Sequence, residues 1–148
     1  MRWSDFEREA PELASIGRRS FENYEVILLA TNRLKGSPRL SLVTPLLLDD
    51  ALFIATRAGD AKTRDLERDP RCSIHSLVSH RTHTDRAFTA NALARRVGDR
   101  ARRADLLERA RRPEISWFPD AIHELDITSA RSVGGAPQPR LAWRPAAH

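Results

Sequence analysis

The spacing of hydrophobic positions changes at residue 25. Before it, Leu13, Ile16, Ser20 and Tyr24 recur at steps of three or four, as one face of a helix would. Ser4-Asp5-Phe6-Glu7 has capping-box form, a hydroxyl for unpaired amides and a glutamate three residues on. Pro11 either interrupts this helix or opens a second at its first position, where a missing N–H does little harm. The spacing predicts a helical arm over about 4–24, anchored on the body by Trp3 and Phe6.

From Glu25 the period shortens. "EVILLATN" is an apolar run bounded by a turn and reads as a buried strand. "RLKGSP" supplies a hairpin, with Gly36 able to take positive φ. "PRLSLVTPLLL" alternates, placing Arg39, Ser41 and Val43 on one face and Leu40, Leu42 and Thr44 on the other. Asp49-Asp50 turn the chain into a third strand, "ALFIAT". A turn around Gly59 follows, with Asp60 as N-cap of a helix "AKTRDLERD" that Pro70 stops.

"RCSIHSLV" is a fourth strand, residues 79–86 are loop-like, and "AFTANALARRV" reads as either strand or helix because of its alanines. "DRARRADLLERARR" is helical, with Ala101, Ala104 and Leu107 spaced by three. "AIHELDITSARSV" alternates again, with one apolar face, and "RLAWRP" forms a short last strand. The sum is one domain over 1–148, mainly β with peripheral helices, an antiparallel barrel of six or seven strands.

Composition changes little in this picture. The apolar fraction of 41% and charged fraction of 30% are ordinary for a globular protein. No run approaches the ~18 apolar residues of a membrane span. The start, "MRWSDFERE", has acids where a signal peptide would need an apolar stretch, so a cytoplasmic protein is expected. One cysteine, Cys72, fits a reducing compartment. The net charge of +5 resides in residues 95–112. That basic helix lacks interleaved aromatics, which disfavours a nucleic-acid partner.

Enzyme signatures such as a glycine-rich phosphate loop or a zinc-binding helix are missing, and no acid or base stands out as catalytic. Cys72, His75, His80 and His83 cluster, yet Cys72 and His75 are three apart on a strand and point to opposite faces, so no metal site is expected. What remains is Lys62, one of only two lysines among 25 basic residues. It lies in the first turn of a helix, where a cation is unfavourable by a few tenths to ~1 kcal/mol. An anion bound there would reverse that sign. Spacing leaves open whether Lys62 meets such an anion or pairs with Asp60 or Asp65.

"KGSPRLSLV", then "ALFIATRAGDAKTRDLERDPRCSIHS", then a terminal "WRP", resembles the pyridoxamine 5'-phosphate oxidase-like, FMN-binding split-barrel family. The resemblance implies a split barrel and a homodimer with cofactor pockets between subunits. It implies that Arg39, Thr44, Thr56, Arg57 and Lys62 hold the cofactor phosphate, with Ser41 and Val43 beside the ring system. Trp143 and Arg144 would reach toward the partner's pocket. FMN is the implied cofactor, with the deazaflavin F-420 as the alternative. The activity would be hydride transfer with a small conjugated or heteroaromatic substrate in a bacterial cytoplasm, or else flavin or haem binding without turnover. The tail departs from that of genuine pyridoxamine phosphate oxidases, so pyridoxine phosphate is not the expected substrate.

Overall fold

The computed structural model describes residues 1–78, 86–110, 119–135 and 139–146. Two helices open the chain, α1 (Trp3–Glu9) and α2 (Pro11–Asn23), followed by β1 (Ile27–Asn32), β2 (Pro38–Leu48) and β3 (Ala51–Thr56). Then come α3 (Ala61–Arg68), β4 (Arg71–His75), β5 (Arg86–Arg96), α4 (Arg100–Arg109), β6 (Ala121–Gly134) and the short β7 (Ala142–Trp143). The strands are antiparallel in the order β3-β2-β1-β4-β5-β6-β7. A further pairing of Phe53 to Thr56 with Glu124 to Ala121 closes the first six into a barrel, and β7 stands outside the closure. The fold is therefore the expected barrel with peripheral helices. No helix among the described residues is long and apolar enough to cross a membrane.

Alternation explains what fills it. Ile27 and Leu29 of β1, Leu52 and Ile54 of β3, and Leu125 and Ile127 of β6 share one buried cluster with Leu66 of α3. Trp3 and Phe6 anchor the arm there as expected, with Trp3 edge-on to Phe6 at 5.3 Å and to Phe88 at 5.7 Å. Gly17 permits this approach, because a Cβ there would lie 2.9 Å from the Trp3 ring and 3.1 Å from Phe88. A second cluster of Leu46, Phe53, Val97, Leu106 and Ile122 uses other side chains of β3 and β6, with α4 over it.

The local differences have physical causes. The capping box does not form: α1 starts at Trp3, the cap position is Arg2, and no side chain caps it. Instead the Ile127 amide donates to the Met1 carbonyl at 2.7 Å, and Ser4 N donates to the Asp50 carbonyl at 3.1 Å, so tertiary pairing sets the helix start. Pro11 opens α2 at its first turn. β1 begins two residues later than expected and buries only alternate residues, because its other face looks outward. The alanine-rich segment is a strand, β5, whose Ala90, Ala92 and Ala94 point inward. β4 ends at His75, and beyond it the Ser76 amide still donates to the Phe88 carbonyl at 2.8 Å while the Ser76 hydroxyl accepts from the Phe88 amide at 2.9 Å. α4 turns Leu106 inward with Leu107 packed partly beside it, while Ala101 and Ala104 are exposed. β6 is buried on both faces from Ala121 to Leu125, since α4 covers the side expected to be polar.

Candidate functional site

The turn after β3 and the first turn of α3 are built to hold a shape. Gly59 takes φ +82°, which lets the chain reverse before the helix. The Thr63 hydroxyl donates to the Arg57 carbonyl at 2.7 Å and shares a 2.9 Å hydrogen bond with Thr56. Asp60 N donates to the Arg57 carbonyl at 3.2 Å, and the Asp60 carbonyl accepts from Arg64 N at 3.0 Å. This braced turn faces β2 across a cleft of about 280 Å³, lined by Val26, Leu42, Val43, Thr44, Arg57, Asp60 and Lys62.

Lys62 pairs here with Asp60, Nζ to Oδ2, at 2.7 Å, one of the two carboxylates that spacing left open. The Lys62 side chain is 19% exposed and that of Asp60 38%, so the cation is the more buried partner. The Asp60 carboxylate accepts nothing from the helix amides it precedes. The first turn of α3 therefore presents N–H groups without a side-chain cap, beside two cations.

Four of the nine expected site residues converge on this cleft: Val43, Thr44, Arg57 and Lys62. Ser41 shares the β2 face of Val43 but does not line the cleft. Arg39 turns to α3 instead, its Nε donating to Asp65 Oδ2 at 2.7 Å. Asp65 is buried and also accepts from Thr31 at 3.0 Å and Arg68 at 3.2 Å. Burial opposes its ionisation, yet the hydrogen bonds from Arg39, Thr31 and Arg68 together hold its carboxyl below the ordinary value. Thr56 is fully buried and braces the turn from beneath.

Trp143 and Arg144 lie elsewhere in the protomer. They line a groove of about 480 Å³ with Ser73, Asn91, Ser129 and Arg131. Trp143 stacks edge-on to Phe6 at 4.9 Å and donates to Glu9 at 3.0 Å. Within one chain this groove and the Lys62 cleft share no lining residue.

Leu42 was not expected at the cleft, and its 58% exposure with the 69% of Leu40 marks an apolar outer face on β2. The alternation displayed both leucines, but only the register with Leu28 and Ala30 of β1 shows the face they share. Cys72 and His75 do point apart: Cys72 is buried, its thiol pushed up to about 12 by burial and by the Asp69 charge. His75 donates Nδ1–H to the Ser76 carbonyl at 2.7 Å. His80 and His83 lie outside the described residues.

Residues 18–133 match the family model described as pyridoxamine 5'-phosphate oxidase. The chain belongs to that family. Solved structures of this fold include a heme binding protein from Mycobacterium smegmatis, 25% identical with TM-score 0.69 over 90% of this chain. This chain spans only 58% of that protein's length. A Clostridium acetobutylicum protein of the pyridoxinephosphate oxidase family, related to general stress protein 26, is 10% identical, with TM-score 0.67 over 89% of this chain and 93% of its own. The conserved hypothetical protein Rv2991 from Mycobacterium tuberculosis is 17% identical, with TM-score 0.68 over 84% of this chain and 85% of its own. No curated protein matches the sequence. In this family setting the uncapped α3 amides, Lys62, Arg57 and Thr44 fit the phosphate of a flavin-type cofactor by their donor chemistry.

Proposed function

We propose that the chain is a homodimeric oxidoreductase that uses FMN, or the deazaflavin F-420, to pass a hydride to or from a small conjugated or heteroaromatic molecule. The observation that carries this reading is the single cleft joining Val43, Thr44, Arg57 and Lys62 to the uncapped start of α3. The cofactor would supply the redox chemistry, and the chain its anchoring, orientation and exclusion of water. Lys62 and Arg57 would meet the phosphate charge, the Thr44 hydroxyl would share it, and Val43 and Leu42 would border the ring.

A cleft of about 280 Å³ falls below the usual range for pockets that enclose a small ligand. A tricyclic ring must then lie beyond it, along the exposed Leu40 and Leu42. A second copy seated on that apolar face would cover the ring and remove both leucines from water, which supports the homodimer. In that arrangement Trp143 and Arg144 of one copy border the other copy's cofactor.

Absorbance spectra of the purified protein with FMN or F-420, before and after NADPH or another reductant, test the enzyme. A bound spectrum that bleaches and recovers is expected, with light scattering giving twice the chain mass. The second reading is a carrier of flavin or haem without turnover, favoured by the 25% identity to the heme binding protein. A bound cofactor that no donor reduces, or a Soret band with haemin and no flavin binding, would replace the first reading by the second.

A further inference from the structure

The groove at β7 holds charge of one sign. β6 and the short β7 bring Arg131 and Arg144 into it, since Arg131 pairs with Ala142, two residues before Arg144. It measures about 480 Å³, inside the usual range for pockets that take a small ligand. Its floor is already satisfied: the Ser73 hydroxyl donates to the Asn91 side chain at 2.6 Å, and the Asn91 amide donates to Ser129 at 3.0 Å. Both arginines are exposed, and neither forms an ion pair or a side-chain hydrogen bond among the described residues. Nor does a described aspartate or glutamate line the groove, whereas the Lys62 cleft holds Asp60 and the groove along α2 holds Glu12. Glu9 accepts the Trp143 indole N–H at 3.0 Å and pairs with neither arginine.

We infer that this groove binds the anionic end of the substrate, a carboxylate or a phosphate, through Arg131 and Arg144. This rests on the oxidoreductase reading above, in which Arg144 of one copy borders the cofactor of the other. Two guanidiniums on adjacent strands repel, and an anion between them reverses that sign. The groove itself supplies no such charge. Each guanidinium offers a planar fork of N–H donors and no acceptor, which matches the paired oxygens of a carboxylate or phosphate. Thr89 and Ser129 share the face of Arg131, since Thr89 pairs with Arg131 and Asn91 with Ser129. The Ser129 hydroxyl accepts from Asn91, so its own proton is left to give. A neutral substrate would leave both cations unanswered, so the groove selects an aromatic acid over its amide.

Benzoate, phenyl phosphate and neutral benzamide are titrated against the full chain by amide NMR, on wild type, Arg131→Gln and Arg131→Lys. Thermal melts confirm the fold of each, and FMN is titrated in parallel. Benzoate or phenyl phosphate should shift the Ser129 and Arg131 amides and bind roughly fivefold tighter than benzamide, the size an exposed charge pair allows. Whichever of the two binds better fixes the group as carboxylate or phosphate. Arg131→Gln should remove most of that preference and leave benzamide and FMN unchanged, while Arg131→Lys, which keeps the charge without the fork, should lose less. The preference should shrink as salt rises. Anions bound no tighter than benzamide, or a preference that survives Arg131→Gln, overturn the inference while FMN binding leaves the cofactor reading standing. FMN that binds none of the three proteins overturns that reading and the substrate assignment with it, whatever benzoate does.

Discussion

Two ion-pair clusters in this molecule use the same chemistry in opposite senses. At Glu124 the carboxylate is buried, 7% exposed, and Arg2, Arg95 and Arg102 approach it from the solvent side at 3.2, 3.7 and 3.5 Å. At Lys62 the cation is half-buried and Asp60 is the more accessible partner. A buried carboxylate with several solvated arginines is a structural tie, since the desolvated acid keeps its charge only while it holds Arg2 of the arm, Arg95 of β5 and Arg102 of α4 against β6. A half-buried cation with a more accessible carboxylate is an exchangeable pair, because another anion can take the carboxylate's place. Asp65 belongs to the first kind, joining β1, β2 and α3 through Thr31, Arg39 and Arg68.

The largest effect expected from this contrast is at Asp65. Asp65→Ala should cost about 3 kcal/mol of folding stability in urea titrations, the size typical of breaking a buried pair. A loss under 1 kcal/mol would place Asp65 with the exchangeable kind. The pH dependence has a definite sign. The folded carboxyl sits below its ordinary value, so its contribution is complete above the unfolded pKa. It is lost as pH falls through the folded one, and the gap between wild type and Asp65→Ala should narrow below about pH 4.

Glu124→Gln should follow, at about 2 kcal/mol, since an amide keeps some hydrogen bonds and removes the charge its arginines share. Differential scanning fluorimetry against Asp65→Ala fixes the order, and a Glu124→Gln melt matching wild type would erase the contrast. The smallest stability effect belongs to Lys62→Ala, below about 1 kcal/mol as for other accessible pairs. A larger loss would make Lys62 part of the scaffold.

Much of this was legible where the cause is local. Period-two alternation, the two-residue Asp49-Asp50 turn, with φ 50° and 57°, and the Gly59 turn specify β2, β3 and the entrance to α3 within a few residues. Lys62 was legible for the same reason, since its position in a first helical turn is a matter of spacing. Arg39 was not, because its partner Asp65 is 26 residues away and becomes one only when α3 packs beside β2. The inward face of α4 was not legible for a related reason: its alanines carry little apolar area, and Leu106 sets the rotation from within the cluster of Phe53 and Ile122. Trp143 lay beyond reach, as its hydrogen bond to Glu9 spans 134 residues.

On the reading proposed above, Lys62 is a cation held ready for a cofactor phosphate. The most direct measurement compares FMN with riboflavin, which lacks the phosphate, on wild type and Lys62→Ala. Wild type should prefer FMN, and Lys62→Ala should lose about 1.5–3 kcal/mol of FMN affinity, the worth of a charged hydrogen bond, while riboflavin binding stays unchanged. An FMN preference that survives the substitution intact would contradict the account.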